Sequence, residues 1–343
     1  MTESLIAYAR KIPKAEVHLH LEGSVKPKLL AKLAAKYKTE IAGWPAERIR
    51  QELYRYKDFQ SFLNAYRVVC SHLREPGDYV EALDHLAAYF QDQNIRYAEI
   101  IYSPSISRRF DQDAEQILSL LLKRGLELES ETGTRIRWIL DAVRQWGPGP
   151  AQETVELAAQ YRGCGVVAVG LGGDETSLPA AVFQEVFSWA RAHQLFVHIH
   201  AGETGGPEQV WDAIQILGAN RIGHGLHAAR DPNLMEHLRE RAVALDLCLT
   251  GNLKTGAWSP LSAHPFQVLM QRGVQVTLNT DDPGMFDTTL CQEFEKAIEN
   301  FGLDQEQVRT VSLQALHSCF LDYEQKMALM AEFHEQIQSI ALQ

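Results

Sequence analysis

Eight short apolar, β-rich runs recur along the chain. They are AEVHLH (15–20), IRYAEIIYS (95–103), RIRWILDAV (135–143), VVAVGLGG (166–173), FVHIHAG (196–202), RIGHG (221–225), AVALDLCL (242–249) and VQVTLNT (274–280). Their near-continuous apolar character is that of strands covered on both faces, not the alternation of a half-exposed sheet. Between most of them lie stretches with apolar residues at helical spacing, such as 113–129 and 179–193. Alternating strands and helices imply parallel crossovers. Eight such units predict an α/β fold closed as a (β/α)8 TIM barrel. A doubly wound open sheet has the same alternation, but segment 163–175, GCGVVAVGLGGDE, lacks the GxGxxG of a dinucleotide fold.

Two stretches depart from an even barrel. About four helical patterns lie between residues 26 and 92, including 59–73 and 78–93. Loops that follow barrel strands sit on the catalytic face, so this helical insertion after the first strand is expected to cover the mouth. A helical tail, 289–340, follows the last strand and is expected to pack on the outside. No repeat, low-complexity segment or Pro/Gly-rich linker divides the chain, so 1–343 reads as one domain.

Composition narrows the partners. The 343 residues carry 33 basic and 44 acidic side chains, a net charge of −11. That balance offers no positive field for a phosphate backbone and excludes nucleic acid as an expected partner; a small molecule fits better. A chain of this length buries about three quarters of the surface it exposes when unfolded, so it needs no disulfide staples. Its five cysteines are scattered without a CxxC pair, as expected in a reducing cytoplasm. No signal peptide and no run of eighteen apolar residues is present, so neither export nor a membrane span is expected. Oligomeric state is not legible.

Chemistry-bearing residues gather at the ends of the expected strands. His18 and His20 in the first strand share a face, because side chains alternate with period two. A pair of satisfied core histidines is the plain explanation, but two imidazoles buried on one face shift the balance towards a metal. FVHIHAGE repeats the arrangement with His198 and His200, then adds Glu203. RIGHG sets His224 between glycines, and VTLNTDDP ends the eighth strand with Asp281 and Asp282. Singly, each has an ordinary reading: His198 as structural, Asp-Asp-Pro as a turn. Together they fall at the C-terminal ends of strands one, five, six and eight, the rim where barrel enzymes collect their working groups. His18, His20, His200 and Asp281 offer three nitrogens and one oxygen, a donor set suited to catalytic zinc. Barrels with two ions usually bridge them through a lysine on the fourth strand. VVAVGLGG has none, so one Zn²⁺ per chain is expected. No GxSxG or SxxK supports a serine nucleophile. His20-Leu21-Glu22 matches H-x-E, but no PCxxC follows to complete a cytidine-type site.

Taken together, PKAEVHLHLEGS, HAGETGGPE, RIGHG and LNTDDPGMF resemble the adenosine deaminase family of the amidohydrolase superfamily, in order and over nearly the whole chain. The resemblance implies zinc on His18, His20, His200 and Asp281, with Asp281 also accepting a proton. It implies Glu203 as proton donor to purine N1 and His224 beside the attacking oxygen. Asp282 would meet N7, the Gly173 N–H would meet N3, and His20 and Glu22 would lie near the substrate, Glu22 by the sugar. The implied reaction is hydrolytic deamination at C6 of a 6-aminopurine nucleoside, giving the 6-oxo product and ammonia.

Substrate choice turns on three departures from the adenosine enzymes. They usually carry Asp where this chain has Glu22, and one methylene moves a carboxylate by about 1.5 Å. They typically read DLAGDE where this chain reads GLGGDE, so Gly170 and Gly172 remove a carboxylate and a methyl. GLGG is similar to enzymes acting on aminodeoxyfutalosine, whose 5′ side bears a carboxyphenyl ketone. Ser105, Ser107, Arg108 and Arg109 are candidates for its carboxylate, although a basic pair in a loop is ordinarily solvated surface. Adenine-acting relatives often have Asp where RIGHG has Gly223, which disfavours the free base. A different metal-dependent amidohydrolase on the same barrel, with two metals and no use for Glu203, is the remaining enzymatic alternative. A silent binding barrel is the non-enzymatic one.

Overall fold

The computed structural model describes residues 2–341. Its centre is eight parallel strands: β1 (Lys14–His20), β2 (Ile95–Tyr102), β3 (Arg135–Val143), β4 (Val166–Gly172), β5 (Phe196–Ala201), β6 (Arg221–His224), β7 (Ala244–Leu247) and β8 (Val276–Leu278). They pair in sequence order, and a bridge between Leu19 and Asp281 brings the exit of β8 back to β1. At that joint the His20 N–H donates to the Asp281 carbonyl at 2.8 Å, and the Asp281 N–H donates to the His18 carbonyl at 3.2 Å. Asn279 Oδ1 accepts from the N–H groups of Val17 and His18. All eight apolar runs become strands of a (β/α)8 barrel. β7 and β8 are shorter than their runs because burial continues past the paired segment into the following turns.

The apolar runs are covered on both faces, as their composition requires. Outward residues such as Val17, Leu19, Leu140 and Val169 join the helices in the principal core. Inside the barrel, Ile101, Ile139, Ala168 and Phe320 form a small apolar plug. Beside it Arg221 is fully buried, donating to Asp246 Oδ2 at 2.7 Å, Glu99 Oε2 at 2.6 Å and the Val17 carbonyl at 2.7 Å. Two carboxylates on one guanidinium are the arrangement that makes a buried charge tolerable.

Between β1 and β2 run helices Pro27–Tyr37, Phe59–Cys70 and Pro76–Asp92, with two short turns over 46–53. Asp58 starts the second of these: it accepts the Ser61 N–H at 2.7 Å, while Ser61 Oγ accepts the Asp58 N–H at 3.0 Å. One face of Phe59–Cys70 borders the barrel mouth, whereas Pro76–Asp92 packs against Ala114–Thr132 in the outer ring. Within 289–340, helix Gln305–Ser318 lies on β8 and β1, so this part of the tail is the eighth helix of the ring. No helix among the described residues is long and apolar enough to cross a membrane.

Candidate active site

Alternation along β1 turns His18 and His20 to the barrel interior, and β5 does the same for His200. Asp281 follows β8 with φ of 64°, a left-handed backbone rarely tolerated outside glycine. Their ligating atoms converge. His20 Nε2 lies 3.3 Å from His200 Nε2, and Asp281 Oδ1 lies 3.3 Å from His18 Nε2 and 3.4 Å from His20 Nε2. Tetrahedral zinc with bonds of about 2.0–2.1 Å has ligand–ligand edges of about 3.3–3.4 Å, so the donor set fits that ion. His18 Nε2 has no hydrogen-bond partner, although it is buried.

Electrostatics agrees with the geometry. Burial holds His20 down to about 3 and His200 well below the usual histidine range, keeping both neutral, the form that binds a cation. His18 behaves oppositely. Burial lowers it, but Asp246 and Asp281 outweigh that and raise it to about 9. Those two carboxylates draw positive charge to this point, whether a proton or a metal cation supplies it. A second group, His18, His198 and Asp246, also has ligand atoms close together. There, however, Asp246 Oδ2 is held by Arg221 at 2.7 Å and His198 Nε2 at 3.0 Å, leaving a guanidinium where another cation would sit.

Above the cluster, His224 Nε2 stands 3.6 Å from Glu203 Oε2 and 4.0 Å from Asp281 Oδ2. His224 also has a left-handed backbone, φ 63°, at the end of β6. Asn252 Nδ2 donates to its Nδ1 at 3.2 Å, which directs Nε2 to the cavity. Burial, then Asp281 and Glu175, push the Glu203 carboxyl well above its ordinary range. Asp282 is raised likewise, by burial and then by Asp281, and its Oδ1 has no partner. Gly23 makes room for it, since a Cβ there would fall 1.6 Å from Asp282 Oδ1. Gly173 lines the cavity with φ of 91°. Glu22 is buried behind the wall: Oε1 accepts the Ser103 N–H at 3.0 Å and Oε2 has no partner.

His20, His200, Glu203, His224, Asp281, Asp282 and Gly173 border a cavity of about 520 Å³, within the size range of small-molecule sites. Phe59, Phe62 and Tyr66 of the inserted helix form one wall; Phe110, Trp146 and Arg109 form another. Of the four residues considered for a carboxylate, only Arg109 reaches this space. Ser107 is bonded to Tyr79 and Tyr102, Arg108 pairs with Glu153 at 3.5 Å, and Ser105 is buried off the cavity. Arg67, which the sequence did not single out, also lines it, from the inserted helix Phe59–Cys70. A larger groove of about 1050 Å³, bordered by Leu126, Trp138 and Phe196, carries none of the clustered histidines.

Three supports escaped the sequence. Glu175 accepts the N–H groups of Gly202, Thr204 and Gly205, fixing the loop that carries Glu203. Asp246 and Arg221 hold His198, which takes no place among the candidate ligands. Asp246 is a charge inside an apolar run and Arg221 opens one, whereas Glu175 stands in the polar turn after β4.

The chain matches the adenosine deaminase family over residues 13–336. It is 36% identical over 330 residues to an aminodeoxyfutalosine deaminase of Streptomyces avermitilis, covering 96% of this chain and 92% of that one. An adenine deaminase of Sinorhizobium fredii is 32% identical over 323 residues, covering 94% and 98%. Among solved structures, an amidohydrolase from Burkhoderia ambifaria with bound zinc superposes with a TM-score of 0.89 at 22% identity, covering 98% and 93%.

Proposed function

Because the chain belongs to the adenosine deaminase family and is a hydrolytic deaminase, we propose that it removes the C6 amino group of a 6-aminopurine nucleoside. The products are the 6-oxo nucleoside and ammonia. We read His18, His20, His200 and Asp281 as the ligands of one Zn²⁺ per chain, and 1–343 as one domain covered at its mouth by helices of the 26–92 stretch. When bound, the ion supplies Lewis acidity that makes water a competent nucleophile near neutral pH.

The side chains divide the remaining work. Addition of water at C6 breaks the ring conjugation and puts charge on N1. Glu203, protonated because its burial disfavours the anion, gives N1 that proton. Asp281 accepts the proton of the attacking water, while His224 orients that water from the other side. Asp282, with its raised carboxyl at the cavity, meets N7, and Gly173 offers its N–H to N3. Asp281 then passes its proton to the amino group, the C6–N bond breaks and ammonia leaves; the remaining hydroxyl proton is released as the 6-oxo group forms, and Glu203 regains a proton from water. The observation that carries this reading is a buried Glu203 carboxyl, 3.6 Å from His224, at the same cavity as four ligand atoms that lie within 4.8 Å of one another.

Within the nucleosides, the cavity favours one extended on its 5′ side by an anionic group, as in aminodeoxyfutalosine. Arg67 and Arg109 both border it, and neither forms an ion pair among the described residues; Arg109 rests 4.9 Å over Trp146. Free adenine is the second reading, and one observation bears against it. A cavity of about 520 Å³ lined by Arg67 and Arg109 leaves space and charge that a neutral base does not use. Loss of aminopurine absorbance with adenosine, adenine and aminodeoxyfutalosine as substrates tests the proposal. The highest kcat/KM is expected with aminodeoxyfutalosine, and no change with any of the three would refute it. The reading places the enzyme in solution in the cytoplasm, with no nucleic-acid or membrane partner.

A further inference from the structure

Two glycines on β4 leave space that another strand fills. A Cβ on Gly170 would fall 2.2 Å from Asp141 Oδ1, and one on Gly172 would fall 2.6 Å from Asp141 Oδ2. The same point beside Gly172 lies 3.3 Å from His200 Nδ1. Register produces this: Asp141 pairs with Gly170, which pairs with His198, so β3, β4 and β5 bring an acid, a gap and a histidine side by side. Asp141 is 2% exposed, and its Oδ1 has no hydrogen-bond partner. His200 Nδ1 is buried and has none either. The other nitrogen of that ring, Nε2, faces His20 Nε2 at 3.3 Å, so Nδ1 looks away from the ligand cluster.

A metal-bound imidazole ordinarily donates its second N–H to a carboxylate or carbonyl, which fixes the tautomer and raises the basicity of the ligating nitrogen. The two groups are not hydrogen-bonded to each other in this structure, but Asp141 Oδ2 and His200 Nδ1 both face the gap at Gly172; we infer that Asp141 is the positioning residue of His200, accepting its Nδ1–H across that space when the other nitrogen holds a metal. The inference rests on the proposed metal role of His200. It also explains the exchange of DLAGDE for GLGGDE: the acid absent at position 170 is supplied from the neighbouring strand. Glycine is then required at 170 and 172 because any side chain would displace that carboxylate.

The test uses metal-free, full-length protein titrated with Zn²⁺ against a chelating indicator. Asp141→Ala is expected to weaken zinc binding about 10–100-fold, while the Tm of the metal-free protein changes little. Moving the acid, with Asp141→Gly and Gly170→Asp combined, is expected to restore most of the loss. His200→Ala is the control. Wild-type zinc affinity in Asp141→Ala, with weakened affinity in His200→Ala, overturns the inference and leaves the proposed metal site standing. Unchanged affinity in both removes the metal assignment itself. A lowered metal-free Tm with unchanged zinc affinity marks Asp141 as merely structural and also overturns the inference. If Asp141→Ala does not fold, Asp141→Leu fills the space without an acceptor, and its zinc affinity is read in the same way.

Discussion

Glu203 Oε2 stands 3.6 Å from His224 Nε2, two buried side chains that β5 and β6 aim at one point above the ligand cluster. As the proposed acid and the group orienting water, they should be separable by experiment. Glu203→Gln keeps the shape and loses the proton, so kcat is expected to fall about 10²–10⁴-fold. Zinc content should remain at one per chain by elemental analysis. Near-normal turnover would remove Glu203 from the role.

The pH profile follows from the same carboxyl. Burial raises its pKa, and the protonated form is the working one. Activity is therefore present below that raised pKa and lost as pH climbs through it. The expected alkaline limb of kcat/KM should disappear in the residual activity of Glu203→Gln. An alkaline limb unchanged in the variant would assign it to another group.

Substrate choice is predicted to lie in Arg109. A hydrogen bond to a charged group contributes about 1.5–3 kcal/mol, so Arg109→Ala should raise KM for aminodeoxyfutalosine roughly tenfold to hundredfold. Adenosine, which has no anion on that side, should be turned over as before. Equal effects on both substrates would place Arg109 outside recognition.

The eight strands were legible because burial on both faces leaves a run of apolar letters, and period-two spacing put His18 and His20 on one side. Asp141, Asp246 and Arg221 were less so. Each is a single charge in or beside such a run, and only cross-strand register reveals its partner. The backbones of Asp281 and His224 were not legible: Asp and His adopt a positive φ more often than most residues, yet too seldom for the residue type to reveal it. In SPSISRRF four polar side chains looked equivalent; the turn of a short helix, Pro104–Arg109, sends one to the cavity and hides others.

Stability should depend on the ionic layer below the cluster. Asp246 is fully buried, accepting from Arg221, His198 and Thr277. Removing one partner of such a pair leaves an uncompensated charge, so Asp246→Asn is expected to cost about 3–5 kcal/mol. Urea unfolding of the metal-free protein, with the midpoint lowered and the slope unchanged, would verify it.

Metal removal gives a separate readout. An ion that binds only the folded chain stabilises it by about 2.7 kcal/mol at a hundred times its Kd. Tm should rise on adding Zn²⁺ to stripped protein, and this rise should vanish in His200→Ala. A rise of equal size in that variant would place the ion elsewhere.

Asp281 also locks the hoop: its backbone N–H and carbonyl latch the last stave to the first, while its side chain faces His18 and His20 a few ångströms away. Latch and proposed metal ligand thus share one residue. A drift in this segment is judged twice, by the barrel that must stay shut and by the reaction that must proceed. Arg67 and Arg109, on the helices that border the cavity, take no part in that latch.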